Sequence, residues 1–307
     1  MGFRWLLFPL LVFLGGCCYG PSSSMIKIAY DAGFSSNDVL ISQYFYGWLI
    51  LLVMVSVGFL NGFFFHLPLF HTQWTVRRFL SLFATGATLA LVSTCYCFSL
   101  QSIPASLSVI LLFQFTWIGV LIQTLVEWKI PSRRTIVAVA LLILGTILAA
   151  DFFGSRLSLT AEGIIFGILS ALFYALYMFL LGYKESGMSP LMRSFVVLSC
   201  SLAILLCILS SVSILSFQVL SDLWTYGCIL GLFGCALPMF LFSIGTPRIS
   251  TGSATILSSS ELPASIVCSV VILSEGVSWV QWMGIALIFF GIASLYFWDE
   301  DRIDVVS

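Results

Sequence analysis

Between Arg78 and Glu127 the chain runs for 48 residues, 79–126, without one charged side chain. Few folds accept such a stretch. A helix needs about 20 apolar residues to cross the hydrocarbon core of a bilayer, so this gap holds two crossings, with a break at Gln101-Ser-Ile-Pro104. In lipid the backbone must satisfy its own hydrogen bonds, which leaves helices or closed barrels. The other gaps repeat the pattern at 5–26, 39–76, 135–150, 163–183, 194–221, 223–247 and 276–298. The interval from Arg248 to Glu275 is interrupted only by Glu261. Ten spans result. The fold class is an all-α integral membrane protein.

Composition agrees. Charged residues make up 8% of the chain, against about 25% in an average soluble domain. The net charge of −1 offers no field for nucleic acid. The nine cysteines all sit in apolar stretches without a Cys-x-x-Cys pair, and read as small buried hydrophobes. His66 and His71 share a loop with no carboxylate or cysteine to complete a metal site, so neither a metal nor another cofactor is expected.

The loop charges set an orientation. With ten spans and a cytoplasmic N-terminus, ten basic residues fall inside and only two, Lys27 and Arg156, outside. Both termini are then cytoplasmic, and 299–307 is a short acidic tail. A rival reading takes Leu14-Gly-Gly-Cys17 as a lipoprotein cleavage site, which would leave nine spans.

The chain also partly matches itself. At a shift of 146 residues Ile103 falls on Ile249, Ile110-Leu111 on Ile256-Leu257, Ala140-Leu141 on Ala286-Leu287 and Gly145 on Gly291. Near the first span of each half, Tyr30 falls near Tyr183 at a shift of 153. Five spans per half means the second half enters from the opposite side. The expected organisation is two inverted five-helix repeats, 1–155 and 156–298. Inverted repeats are a transporter architecture with the substrate site between the halves near mid-membrane.

Several motifs then resemble the EamA type of the drug/metabolite transporter superfamily. They are Ser102 through Leu111 with Glu127 and Gly145, and Ser258-Ser-Ser-Glu-Leu-Pro-Ala264 with Ser274-Glu275, Gln281-Trp-Met-Gly284 and Gly291. Here Leu262 separates Glu261 from Pro263, where the family often has the pair adjacent. The resemblance implies ten helices and transport of a small metabolite, amino acid or drug, often export, and points to a multi-pass protein of a bacterial plasma membrane.

Glu261 is the first candidate site residue. It lies 13 residues from Arg248 and 14 from Glu275, near mid-depth. A carboxylate there costs a few kcal/mol unless it is paired, hydrated or protonated. It is either a partner for a substrate ammonium or proton, or a packing feature that fixes the helix bend. Gln114 and its repeat partner Ser260 sit at the same central level, and Trp117 shares a face with Gln114. Tyr96, Tyr174 and Tyr177 are candidate aromatic walls. Pro263 and Pro238 each remove a helical donor, from the carbonyls of Ser259 and Gly234, and mark kinks that are gates or static bends. Gly163, Gly167, Ala171 and Ala175 form a small-residue packing ridge, and Glu127 and Glu275 read as interfacial. The expected partners are a small-molecule substrate, the lipid bilayer and protons as candidate coupling ion. No nucleotide-binding motif is present, so the energy source is a gradient. Two other classes remain: a non-transporting membrane sensor or scaffold, and an intramembrane transferase, for which the loops lack a carboxylate or histidine cluster.

Overall fold

A computed structural model describes residues 4–65, 75–128, 130–150, 160–182, 188–209 and 221–295. His66, His71 and the acidic tail lie outside the described residues. Those described form helices and no strand. They are α1 (Arg4–Cys17), α2 (Tyr19–Asp31), α3 (Ser36–Phe65), α4 (Val76–Ser102), α5 (Ala105–Leu112), α6 (Phe115–Glu127) and α7 (Arg133–Ala149). The second half holds α8 (Ala161–Gly182), α9 (Pro190–Leu209), α10 (Trp224–Gly231), α11 (Leu237–Gly245), α12 (Thr251–Ser258), α13 (Glu261–Leu273) and α14 (Trp279–Ser294).

Among the described residues, eight segments are long and apolar enough to cross a membrane: Leu6–Asp31, Ser36–Phe59, Val76–Ser102, Leu107–Glu127, Ala161–Gly182, Pro190–Leu209, Trp224–Arg248 and Thr251–Leu273. The fifth and tenth expected spans are shorter, 17 residues in α7 and 16 in α14. At about 1.5 Å per residue they fall short of a bilayer core of about 30 Å. These two helices pack against each other. A Cβ on Gly284 would overlap the Ala149 nitrogen and lie 2.6 Å from the Gly145 carbonyl oxygen, so only glycine admits this backbone contact.

The halves interlock. α4 packs on α8 and α9, α3 on α9 and α10, α1 on α11, α2 on α13, and α6 on α8 and α12. The ridge of small residues on α8 is a packing face. Ala171 and Ala175 are fully buried. Gly163 and Gly167 face Ile103 and Leu111.

In the numbering of the ten expected spans these eight segments are spans 1, 2, 3, 4, 6, 7, 8 and 9, and spans 1 (Leu6–Asp31), 4 (Leu107–Glu127), 8 (Trp224–Arg248) and 9 (Thr251–Leu273) are interrupted, each for a local reason. Span 1 turns at Cys18, where Pro21 withholds a donor from the Cys17 carbonyl. Span 8 widens into a π-helical turn at Leu232–Ala236 just before Pro238. Spans 4 and 9 break at Phe113-Gln114 and Ser259-Ser260, where the backbone tightens to i→i−3 bonds: Gln114 N–H to Leu111, and Ser260 N–H to Leu257, both at 3.2 Å.

Candidate functional site

The carbonyls freed at these interruptions find partners, and the partners define the centre of the molecule. At the span 4 break the Gln114 backbone N–H has turned to Leu111, leaving the Ile110 carbonyl without its usual donor. The Gln114 side chain replaces it, donating Nε2–H at 2.9 Å. Its Oε1 accepts from Trp117 Nε1–H at 2.8 Å. Gln114 and Trp117 are thus brought together, as their spacing predicts, but their bonds run to each other and to their own helix. Trp117 is 40% exposed.

Span 9 solves the same problem with hydroxyls. Ser258 and Ser259 both donate to the Thr255 carbonyl, at 3.0 and 3.1 Å. Pro263 has no N–H, and the Ser259 carbonyl instead accepts from Leu262 N–H at 3.4 Å, so it is weakly held rather than free. The Gly234 carbonyl, released by Pro238, accepts from Gln43 Nε2–H of α3 at 3.2 Å. Ser260 Oγ donates to the Phe13 carbonyl of α1 at 2.7 Å, tying span 9 to span 1.

Glu261 opens α13 immediately after this break. A carboxylate in the first turn is favoured by the helix dipole. Its Oε2 is buried and has no hydrogen-bond partner, and no ion pair among the described residues involves it. Three tyrosines from three other helices lie within its electrostatic reach: Tyr19 of α2, Tyr96 of α4 and Tyr174 of α8. The Tyr174 hydroxyl is also buried without a partner. It lies beside Ser258, whose hydroxyl is committed to Thr255.

Aromatic rings fix this cluster. Tyr174 meets Phe115 at a centroid distance of 4.2 Å and Tyr177 edge-on at 6.1 Å. Tyr19 packs on Phe242 at 6.4 Å. Phe115 and Phe242 are fully buried, and Tyr177 is 1% exposed. A central layer of this kind, with aromatic walls, one carboxylate and the unanswered Tyr174 hydroxyl, suits a small ligand carrying a cation or a donor on an apolar body. Among the described residues no group of histidine, cysteine or carboxylate side chains has metal-site geometry.

Of the residues expected from sequence, Glu261, Ser260, Tyr96, Tyr174 and Tyr177 gather in this layer, with Pro263 in the same first turn of α13. Pro238 sits on the adjoining span 8. Tyr19 and Gln43 stand outside the expected set. Gln43 is an amide inside an apolar run, and the carbonyl that Pro238 releases is the signal that demands such a donor. Tyr19 follows the turn at Cys18, and Pro21 is the signal for that turn in the sequence. Arg193, expected in a loop, is 6% exposed in the first turn of α9. Its guanidinium donates to the Leu180 and Leu181 carbonyls, closing the C-terminal end of α8.

Comparison with known proteins agrees with this architecture. One protein of known crystal structure is similar over nearly its whole length, with a TM-score of 0.73 at 15% identity, covering 94% of this chain and 97% of that one. At that identity the likeness speaks for the fold alone. No curated protein matches the chain. Residues 161–297 match the EamA-like transporter family. That region, somewhat under half of the chain, is similar to EamA-type membrane transporters of the drug/metabolite transporter superfamily.

Proposed function

We propose that the protein is a secondary transporter that moves a small metabolite, an amino acid or related amphipathic compound, by alternating access between two inverted five-helix repeats, with export as the direction. In this reading α7 and α14 are the fifth and tenth crossings, both termini are cytoplasmic, and the membrane is a bacterial plasma membrane. The chain is read as a carrier and not an enzyme.

One observation carries the repeat. Backbone features recur at the same shift of 146 residues that the sequence shows. Ile103 and Ile249 are extended. The helix breaks at Phe113-Gln114 and Ser259-Ser260 correspond. Trp128 and Ser274 are left-handed, with φ of 54° and 55°. Ser132 and Ser278 cap the next helices through their side chains. The neighbours obey the same exchange: span 3 lies on spans 6 and 7, and span 8 on spans 1 and 2. Two equivalent halves that share a central layer can rock about it, which is the physical content of alternating access.

Glu261 is proposed as the group that meets a ligand ammonium or a proton, with Tyr96, Tyr174 and Tyr177 as walls, Ser260 as a neighbouring hydroxyl, and Pro238 and Pro263 as the bends that move. Gln114 and Trp117 are retained as candidates at the opposite break. The test compares intracellular and extracellular metabolite pools in cells carrying wild type, Glu261→Gln or empty vector. A metabolite class that leaves faster with wild type alone supports both transport and the role of Glu261. Equal movement by both proteins keeps transport and removes Glu261 from the mechanism. No change in any pool with verified insertion favours the sensor.

A further inference from the structure

A second polar feature lies apart from the tyrosine layer. α2 and α13 flank an open groove of about 210 Å³ lined by Ser23, Ser24, Lys27, Ser265, Ser269 and Glu275, among others. At its mouth Lys27 Nζ donates to both carboxylate oxygens of Glu275 at 3.0 Å, across 248 residues of sequence and between the two halves. Inside, Ser24 is 1% exposed and its Oγ has no hydrogen-bond partner. Ser269 and Ser265 descend the α13 face at one-turn spacing, and the next position in that series is Glu261.

The chemistry of the groove is that of a dipole. It offers one cation, one anion, several hydroxyls and a buried hydroxyl that is unanswered. The ion pair is 55% and 42% exposed, and such pairs contribute only about 0–1 kcal/mol, so they separate at little cost. A ligand with a single charge would answer one member and strand the other. A zwitterion answers both, leaves no net charge behind, and can give the Ser24 hydroxyl the partner it lacks.

We propose that this groove is a binding subsite for a small neutral α-amino acid, with the ligand carboxylate on Lys27, its ammonium on Glu275, and the present ion pair as the latch that the ligand replaces. The proposal rests on the transporter reading only in that the groove then lies on the route to Glu261. Binding itself requires no transport.

The test is a calorimetric titration of the full chain in lipid nanodiscs with L-alanine, and with acetate and methylammonium as its two halves. L-Alanine is expected to bind, and each half-ligand to bind about tenfold more weakly or less, the equivalent of 1.4 kcal/mol. Lys27→Gln/Glu275→Gln abolishes the L-alanine signal while the thermal midpoint stays near that of wild type. The swapped Lys27→Glu/Glu275→Lys restores it, since a zwitterion can reverse. No L-alanine binding to wild type, or binding unchanged in the double glutamine variant, overturns the subsite. Loss in Glu261→Gln with retention in the double variant also overturns it, by assigning the ligand to the tyrosine layer. Intact groove binding without any metabolite flux would instead overturn the transport reading alone.

Discussion

Spans 4 and 9 are the same backbone used in two ways. Each breaks at its centre, 146 residues apart, and each tightens to i→i−3 bonds there. Thr255 Oγ1 donates to the Thr116 carbonyl at 3.3 Å, so the two spans are joined beside their breaks. In span 4 the Gln114 amide closes the break completely, one end on Ile110 and the other on Trp117. In span 9 two serines do the local repair and a third ties the break to span 1, which leaves Glu261 to stand in the interior with an oxygen that nothing satisfies. A buried polar atom without a partner costs about 1–3 kcal/mol, more when charged. A scaffold that can close its breaks in one half and leaves one open in the other keeps the open one for use.

The comparison can be broken most directly at Glu261. Glu261→Gln should lower flux of the transported metabolite by about tenfold or more, the worth of a charge-assisted hydrogen bond, with no loss of thermal stability. A stability loss with flux retained would make the carboxylate a structural piece and erase the contrast. Gln114→Leu should do the reverse. It strands the Ile110 carbonyl and the Trp117 N–H, destabilises the protein by about 1–2 kcal/mol in a denaturation assay, and leaves flux per folded molecule near wild type. Ser260→Ala removes the tie to Phe13. Interhelical bonds in membranes average about 0.6 kcal/mol, so a small downward shift of the thermal midpoint is expected, with any larger change in flux pointing to contact with ligand. Trp117→Phe is the smallest. Its ring is 40% exposed, so stability should change by no more than about 0.5 kcal/mol and flux not at all; a specific flux defect would return Trp117 to the binding site.

Much of this is legible in the residues themselves. The matches of Ile103 with Ile249 and Gly145 with Gly291 set the register at which helix ends and breaks recur. The Gln281-Trp-Met-Gly284 motif has plain physical reasons. Gln281 accepts from the Ser278 N–H to complete a capping box, and Gly284 admits the backbone of α7. Pro238 correctly marks a carbonyl in need of a donor. The ten-span count meets a structure in which two helices are short, because α7 and α14 are held by backbone contact with each other and extend little further than that contact.

Charge spacing and apolar length determined on their own that the chain is a helical membrane protein, since hydrocarbon permits no other way to pair this backbone without a barrel. They also left Glu261 as the lone charge between Arg248 and Glu275. Only the tertiary structure decided which polar groups are already occupied. An amide and a carboxylate at equivalent depths look alike in sequence. Gln114 has its own helix within reach and closes on it, whereas Glu261 meets tyrosines from three other helices and none of them answers its second oxygen. Whether a buried polar group is available depends on neighbours distant in the chain, as the pairing of Lys27 with Glu275 also requires.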